Sequence, residues 1–380
     1  MHICFISNEY PKEGFSHGGV GTFLKTIAPK LVAAGHTVSV VGINYERVDE
    51  ISIEEGVTIF RLKRNTTKGV IWLQNAIAIN KKIKAIHKIN PISIIESAEL
   101  GLAFLRKIKG IHYVIRLHGG HHFFAEAENR GIDWWKGFQE KRSFSKADAF
   151  IAVSEYVKSH TSKYLKIEKF NKIIYSLVNC EHFSSTNVPV INHNIVFAGT
   201  ICEKKGVRQL IQALPFVKEK FPETTLSLYG RDWFFSDGSS YIEMLKLKEL
   251  PRIVPFDKDV IFRGTVSYNE IPEIYRKAHV CVFPSHMETL GLVAPEAMAC
   301  EKPVVFSQLG PGPEVIQDGY NGYLVNPQDP KDIAKAILKV FEDNEKAMLL
   351  AKNARKTVVE KFNPETIVQQ NIDFYNTLLK

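Results

Sequence analysis

Short apolar, β-branched runs alternate with amphipathic segments along the whole chain. His2–Ile6, Thr37–Val41, Ser93–Ile95, Tyr113–Arg116, Ala149–Val153 and Ile173–Tyr175 read as strands. Ile195–Ala198, Thr225–Tyr229, Val260–Arg263, Val280–Phe283 and Pro303–Phe306 continue the series. Helical periodicity lies between them, most plainly over Thr22–Ala34 and Val207–Val217. Such alternation predicts α/β architecture, with parallel sheets covered on both faces. The polar stretch Ser184-Ser-Thr-Asn-Val-Pro-Val-Ile-Asn-His-Asn194 is the best linker by composition, and the strand–turn–helix pattern restarts after it. Boundaries follow at residues 1–185 and 195–362, with a last helical segment over 363–380. That segment opens with Asn363 and Pro364, a good N-cap and first-turn pair. Two doubly wound domains place a ligand in the crevice outside the carboxyl ends of their strands.

At 380 residues, two domains of ordinary size are expected. Hydrophobic content of 45% with 24% charged residues fits a globular chain. The start, MHICFISNEYPKEG, predicts no signal peptide, and no segment is apolar enough for a membrane span. Cys4, Cys180, Cys202, Cys281 and Cys300 are scattered without metal-ligand spacing and read as reduced thiols of a cytoplasmic protein. The net charge of +8 is uneven: residues 1–190 hold 26 Lys+Arg against 17 Asp+Glu, residues 191–380 hold 23 against 24. An anionic partner is therefore expected on the first half, acidic lipid or an acidic acceptor. Nucleic acid is suggested by charge alone and is not expected.

Three loops carry candidate chemistry. In the first half, Ser16-His-Gly-Gly-Val-Gly21 leads into a helix, where glycines let backbone N–H groups approach an anion. A dinucleotide fingerprint is not met: its third glycine would fall at Leu24, and the second strand ends in Gly42-Ile-Asn44 without an acid. In the second half, Lys204 and Lys205 stand where a helix begins, opposing its dipole unless an anion lies between. In Glu288-Thr-Leu-Gly-Leu-Val-Ala-Pro-Glu-Ala-Met-Ala299, two glutamates bracket an apolar helix entrance, where burying an unpaired carboxylate is costly. Phosphate-type donors with two hydroxyl acceptors describe a nucleotide sugar.

With these residues the chain resembles the retaining glycosyltransferase family 4, of GT-B architecture, over essentially its whole length. The E-x7-E motif at Glu288 and Glu296 is the strongest element. Gly18-Gly-Val-Gly21, Leu117-His-Gly-Gly120, Val153-Ser154, Val178-Asn-Cys-Glu-His-Phe183, Lys205-Gly206, Tyr229-Gly230 and Gly310-Pro-Gly-Pro-Glu-Val-Ile-Gln-Asp-Gly-Tyr-Asn-Gly322 support it. The resemblance implies two Rossmann-like domains facing a central cleft, an acceptor domain at 1–185 and a donor domain at 195–362. The helix over 363–380 would cross back to the first domain. It implies hexose transfer from a nucleoside-diphosphate sugar, a UDP- or GDP-sugar, to a hydroxyl of a glycan or lipid-linked glycan, as in surface polysaccharide or glycolipid synthesis. His118, Glu288 and Lys205 take catalytic roles. By the resemblance His118 would lie near the anomeric centre, Glu288 on the donor sugar's hydroxyls and Glu296 on the ribose. Backbone N–H groups of Leu290, Gly291, Leu292 and Val293 would likewise meet the diphosphate, which Lys205 would neutralise. Gly19 and Gly21 close the first domain on the phosphates, and residues around Arg263 contact the base. Thr200 stands where the family usually has an arginine, with Lys204 or Arg208 able to compensate. No metal or other protein-bound cofactor is implied. A GT-B nucleotide-sugar epimerase and a non-catalytic sugar-nucleotide-binding relative are the alternatives, and the E-x7-E and LHGG motifs favour transfer.

Other features have blander readings. His118, His121 and His122 lack the acid or cysteine of a metal site, and Asp257 and Asp259 precede a strand as a turn would. Trp134 and Trp135 are an acceptor wall or a packed pair. Trp72, Ala76, Ile79, Ile83 and Ile86 share one helical face and Lys81, Lys84 and Lys88 lie away from it. That is the pattern of a helix on a sheet, and the basic first half leaves a peripheral role at the inner membrane face open.

Overall fold

The computed structural model describes residues 1–15, 18–127, 130–167 and 170–380. Ser16 and His17 of the first glycine loop thus lie outside the described residues. The chain divides into two compact units, Met1–Leu177 with Pro364–Lys380, and Val178–Asn363. The polar stretch 184–194 therefore belongs to the second unit.

In the first unit β1 (His2–Ile6), β2 (Thr37–Ile43), β3 (Glu50–Glu54), β4 (Val57–Leu62), β5 (Ile94–Ser97), β6 (His112–Leu117), β7 (Ala149–Ala152) and β8 (Asn171–Ile173) form one sheet. Their order is β3-β4-β2-β1-β5-β6-β7-β8. All pairings are parallel except β3 with β4. The sequence reading missed that hairpin. It turns at Glu55 and Gly56, both at positive φ, as a tight hairpin requires. In the second unit β9 (Asn194–Ala198), β10 (Thr225–Tyr229), β11 (Val260–Gly264), β12 (Val280–Phe283), β13 (Val304–Ser307) and β14 (Tyr323–Val325) form an all-parallel sheet. Its order is β11-β10-β9-β12-β13-β14. The chain changes winding direction between β1 and β5 in one sheet and between β9 and β12 in the other. At each switch point the loops after the two central strands part and leave a crevice.

The strands form where they do because both faces are covered. All five residues of β1 and of β9 are buried, and so are all four of β5, β7, β12 and β13. Helix Gly19–Ala33 covers β1 with Phe23, Leu24, Ile27 and Leu31. The last helix, Pro364–Leu378, adds Ile367, Phe374 and Tyr375 to this same core. Beneath it a polar network is buried as well. Arg116 Nε and Nη2 donate to the two oxygens of Glu96, at 2.7 and 3.2 Å. Nη2 also meets Asn371 Oδ1 at 2.5 Å, and Tyr375 donates to Glu96 Oε2 at 2.6 Å. These added bonds to Nη2 and Glu96 offset part of the cost of burying the ion pair.

All five cysteines are free. No helix among the described residues is long and apolar enough to cross a membrane.

Phe374 is fully buried and stacks on Phe170 with centroids 5.1 Å apart. Phe374→Ala is expected to destabilise the first unit by about 3 kcal/mol, the usual cost of emptying an aromatic core site. Urea denaturation followed by tryptophan fluorescence measures it. An unchanged transition would mean the last helix contributes nothing to that core.

Candidate active site

The second unit's crevice is built by two loops. After β9 the chain passes Gly199 and Thr200 into a 3-10 turn, Glu203–Lys205, then Gly206 and helix Val207–Lys218. Gly206 is in the left-handed region at φ 69°, and a Cβ there would lie 1.9 Å from the carbonyl oxygen of Pro284. Only glycine fits between this loop and the one after β12. The loops are tied again by His286 N–H donating to Lys204 O at 2.9 Å. This contact brings Lys205 Nζ onto Glu288 Oε1, which also accepts from Ser285 Oγ at 2.9 Å. Both described bonds fall on Oε1. The side chains retain 21% and 12% exposure, so the pair borders solvent.

Glu288 precedes helix Val293–Ala299, so the E-x7-E stretch is only partly helical. Gly291 at φ 76° separates the two parts, and a Cβ there would meet the Phe306 ring at 2.6 Å. The first N–H groups of a helix have no intrahelical acceptor, and helix Val293–Ala299 begins five residues after Glu288. Glu296 lies within the helix, half-buried, and burial pushes its carboxyl up to about 8. Its charge in turn raises the hydroxyls of Tyr268 and Tyr275, on top of their own burial. Tyr268 stacks on His182 at 4.7 Å. Leu290 is buried, while Arg263 is exposed at the end of β11.

The usual arginine is absent at position 200, yet Thr200 Oγ1 accepts from Arg231 Nε at 3.4 Å. Arg231 follows Gly230, whose φ of 148° lets the loop after β10 lie on Gly199. The sequence reading looked instead to Lys204 and Arg208. Arg208 is engaged by Glu203, whose other oxygen accepts from Tyr241 at 2.6 Å, and Lys204 lies 5.8 Å over the Trp233 ring.

In the first unit His118 opens the loop after β6. Its N–H donates to Glu99 Oε1 at 2.6 Å. Glu140 accepts from the N–H groups of His121 and His122 at 2.9 and 3.0 Å and also contacts His122 Nδ1. Two buried carboxylates thus clamp the histidine-glycine loop, and the sequence reading missed both. Gly120 is required between them, since a Cβ would lie 1.7 Å from Glu140 Oε1. Burial and the Glu140 charge push the Glu99 carboxyl up to about 8, against the pull of its N–H donors. Burial and the neighbouring Arg116 charge hold His118 down at about 3, so it is a neutral imidazole at ordinary pH. His121 Nε2 accepts from Asp133 N–H at 2.9 Å. Both neighbours of the loop are therefore spent on structure. Asp259 pairs with Lys218 at 3.0 Å beside a turn. No three His, Cys, Asp or Glu side chains among the described residues could together hold a metal ion.

At the start of helix Gly19–Ala33, Gly18 N–H donates to Glu9 Oε2 at 3.2 Å. No atom lies within 4 Å of where a Cβ of Gly19 would be, so that glycine borders open space, whereas Gly21 is buried.

Trp72 and Trp135, flagged separately in sequence, meet at 5.4 Å, each packed on Phe104. Trp134 and Phe138 extend the patch with near-parallel rings 6.0 Å apart. Of helix Ile71–Ile89 only Ile83 and Ile86 are buried, while Trp72, Leu73 and Ile77 are exposed. The expected apolar face is thus half uncovered. Lys81, Lys84 and Lys88 are exposed on the same helix.

A profile described as Glycosyltransferase Family 4 matches residues 17–182, and one described as Glycosyl transferases group 1 matches residues 181–357. An uncharacterized glycosyltransferase of Methanocaldococcus jannaschii is 25% identical, over 100% of this chain and 99% of that protein. Among solved structures, sucrose-phosphate synthase from Thermosynechococcus elongatus superposes with a TM-score of 0.84 at 24% identity, covering 99% and 98% of the two chains. Anabaena HepE, determined with UDP and glucose, superposes with a TM-score of 0.77 at 20% identity, covering 99% and 100%.

Glu99 and Glu296 titrate higher in the folded chain than the ordinary carboxyl value of 4.5. Folding therefore binds protons, and their stabilising contribution is full below pH 4.5 and lost as pH rises through about 8. Glu296→Gln removes its share of this loss. Urea midpoints at about pH 5 and about pH 9 should fall further apart in the parent chain than in the variant. An equal difference would contradict the raised carboxyl.

Proposed function

The chain belongs to glycosyltransferase family 4, of GT-B architecture, and on that premise we propose that it is a retaining hexosyltransferase. It takes a hexose-type sugar from a UDP- or GDP-sugar to a hydroxyl of a glycan or lipid-linked glycan, in the synthesis of surface polysaccharide or glycolipid. The observation that carries this reading is the Lys205–Glu288–Ser285 group at the switch point of the second sheet.

Donor cleavage builds negative charge on the departing diphosphate. Preformed donors aimed at that oxygen stabilise the transition state without reorganisation. Lys205 supplies a cation and the helix entrance at Leu290–Val293 supplies N–H groups. Arg231, held beside Thr200, supplies the guanidinium that the sequence lacks at position 200. Glu288 fixes Lys205 through Oε1 and offers Oε2 to hydroxyls of the hexose. Glu296 accepts from the ribose, and Arg263 borders the base. In the first unit His118 stays neutral, so it exchanges hydrogen bonds with a sugar hydroxyl without adding charge at the anomeric centre. Gly19 leaves room for the diphosphate. In same-face transfer the leaving phosphate oxygen takes the acceptor's proton, so no side chain is required as covalent nucleophile.

The exposed aromatic patch favours a peripheral membrane role. Tryptophan rings suit the headgroup boundary, and each nearby lysine adds about 1 kcal/mol on an anionic surface. The intact protein should bind vesicles containing phosphatidylglycerol, and Trp134→Ser with Phe138→Ser should weaken that binding at least about tenfold. No sedimentation with such vesicles by the parent chain overturns the membrane role.

Incubation with UDP-, GDP- and ADP-sugars, with and without acceptors, should release nucleoside diphosphate. Glu288→Gln and Lys205→Ala should each slow release by roughly a hundredfold or more. Release at near-parent rates in both variants would remove the site assignment. No release from any donor would favour a binding-only protein.

A further inference from the structure

At the switch point of the first sheet a small pocket opens among the ends of β1, β5 and β6, lined by Ser7, Val20, Glu96, Ser97, Arg116 and His118. Arg116 is its least ordinary wall. The side chain is 1% exposed, and three of its surroundings are fixed. Glu96 takes Nε and Nη2, Asn371 takes Nη2 as well, and the Phe23 ring lies 4.5 Å from the guanidinium carbon. Nη1 alone is buried with no hydrogen-bond partner among the described residues. A buried guanidinium nitrogen left without an acceptor is costly, so such a group on a residue that lines a pocket points to a ligand atom.

The chemistry of that atom follows from the surroundings. Nη1 has only N–H groups to give, so the ligand atom is an acceptor. The Arg116 charge is already matched by Glu96 and His118 is uncharged, so no net charge draws in a phosphate or carboxylate. The space admits a single oxygen-sized group. We infer that this pocket is a subsite for one hydroxyl of a hexose, which accepts a hydrogen bond from Nη1 of Arg116. Ser7 and Ser97 line the same space and suit a hydroxyl that donates in return. The inference rests on the sugar-transfer reading and adds a recognition residue to it. Arg116 would sense a sugar hydroxyl from one strand position before the loop that carries His118, with the last helix holding it through Asn371.

Isothermal titration of the full chain tests this, with UDP, UDP-glucose, GDP-glucose, ADP-glucose and methyl α-glucoside as probes. Two variants are compared with the parent: Arg116→Gln, which removes the donor, and Ala98→Leu, which fills the pocket from another of its lining residues and leaves the ion pair in place. Each should weaken the binding of a hexose-bearing probe by roughly ten- to a hundredfold, the range for a hydrogen bond from a charged group. UDP, which carries no hexose, should bind as before. Weakening of the sugar nucleotide assigns the hydroxyl to the donor, and weakening of methyl α-glucoside alone assigns it to the acceptor. Unchanged binding of every hexose probe by folded Ala98→Leu overturns the subsite, whether or not Arg116→Gln folds. A parent chain that binds no nucleotide sugar overturns the transfer reading itself.

Discussion

The ion pair between Lys205 and Glu288 is the contact on which the proposed donor site depends. Each residue belongs to a different loop, one after β9 and one after β12, and neither loop could approach the other without glycine at 206. A lysine at a helix entrance is unfavourable in isolation, because the helix dipole repels it. Glu288 answers part of that repulsion and a diphosphate would answer the rest. The pair is partly exposed and its worth to folding is small. Its value is positional. In the proposed roles, a cation for the phosphates and a carboxylate for the sugar are held in one ion pair before any ligand arrives, and the cost of ordering them does not fall on binding.

The first unit uses the same device with the signs exchanged. Backbone N–H groups of His118, His121 and His122 are held by Glu99 and Glu140, so the loop's shape is set by two carboxylates it does not contain. Glu140 sits in helix Trp134–Lys146, which also carries the exposed Trp134 and Phe138. One helix thereby both holds the histidine-glycine loop through Glu140 and contributes Trp134, Trp135 and Phe138 to the aromatic surface.

Much of the fold was legible because parallel strands buried on both faces are written as short apolar runs. Eleven such runs were found, within a few residues of the observed strands. The hairpin of β3 and β4 escaped although Glu50-Ile-Ser-Ile-Glu54 alternates, because the strand is short and its apolar side faces out, with Ile51 63% and Ile53 72% exposed. Strand β14 is three residues long. Glu288, Glu296 and Lys205 were legible because each breaks a local rule, a carboxylate in an apolar run or a cation at a helix entrance. Arg116 was read only as a strand residue, since its partner Asn371 is 255 positions away. Arg231 was invisible for a similar reason: only the folded loops after β9 and β10 bring it to Thr200.

The central claim is that Glu288 addresses the sugar while the neighbouring groups address the diphosphate. Titration calorimetry of Glu288→Gln with a nucleoside diphosphate and with the matching nucleotide sugar separates the two. The account predicts that the variant keeps its affinity for the diphosphate within a few-fold and loses at least about tenfold for the nucleotide sugar. Equal losses for both ligands would contradict it.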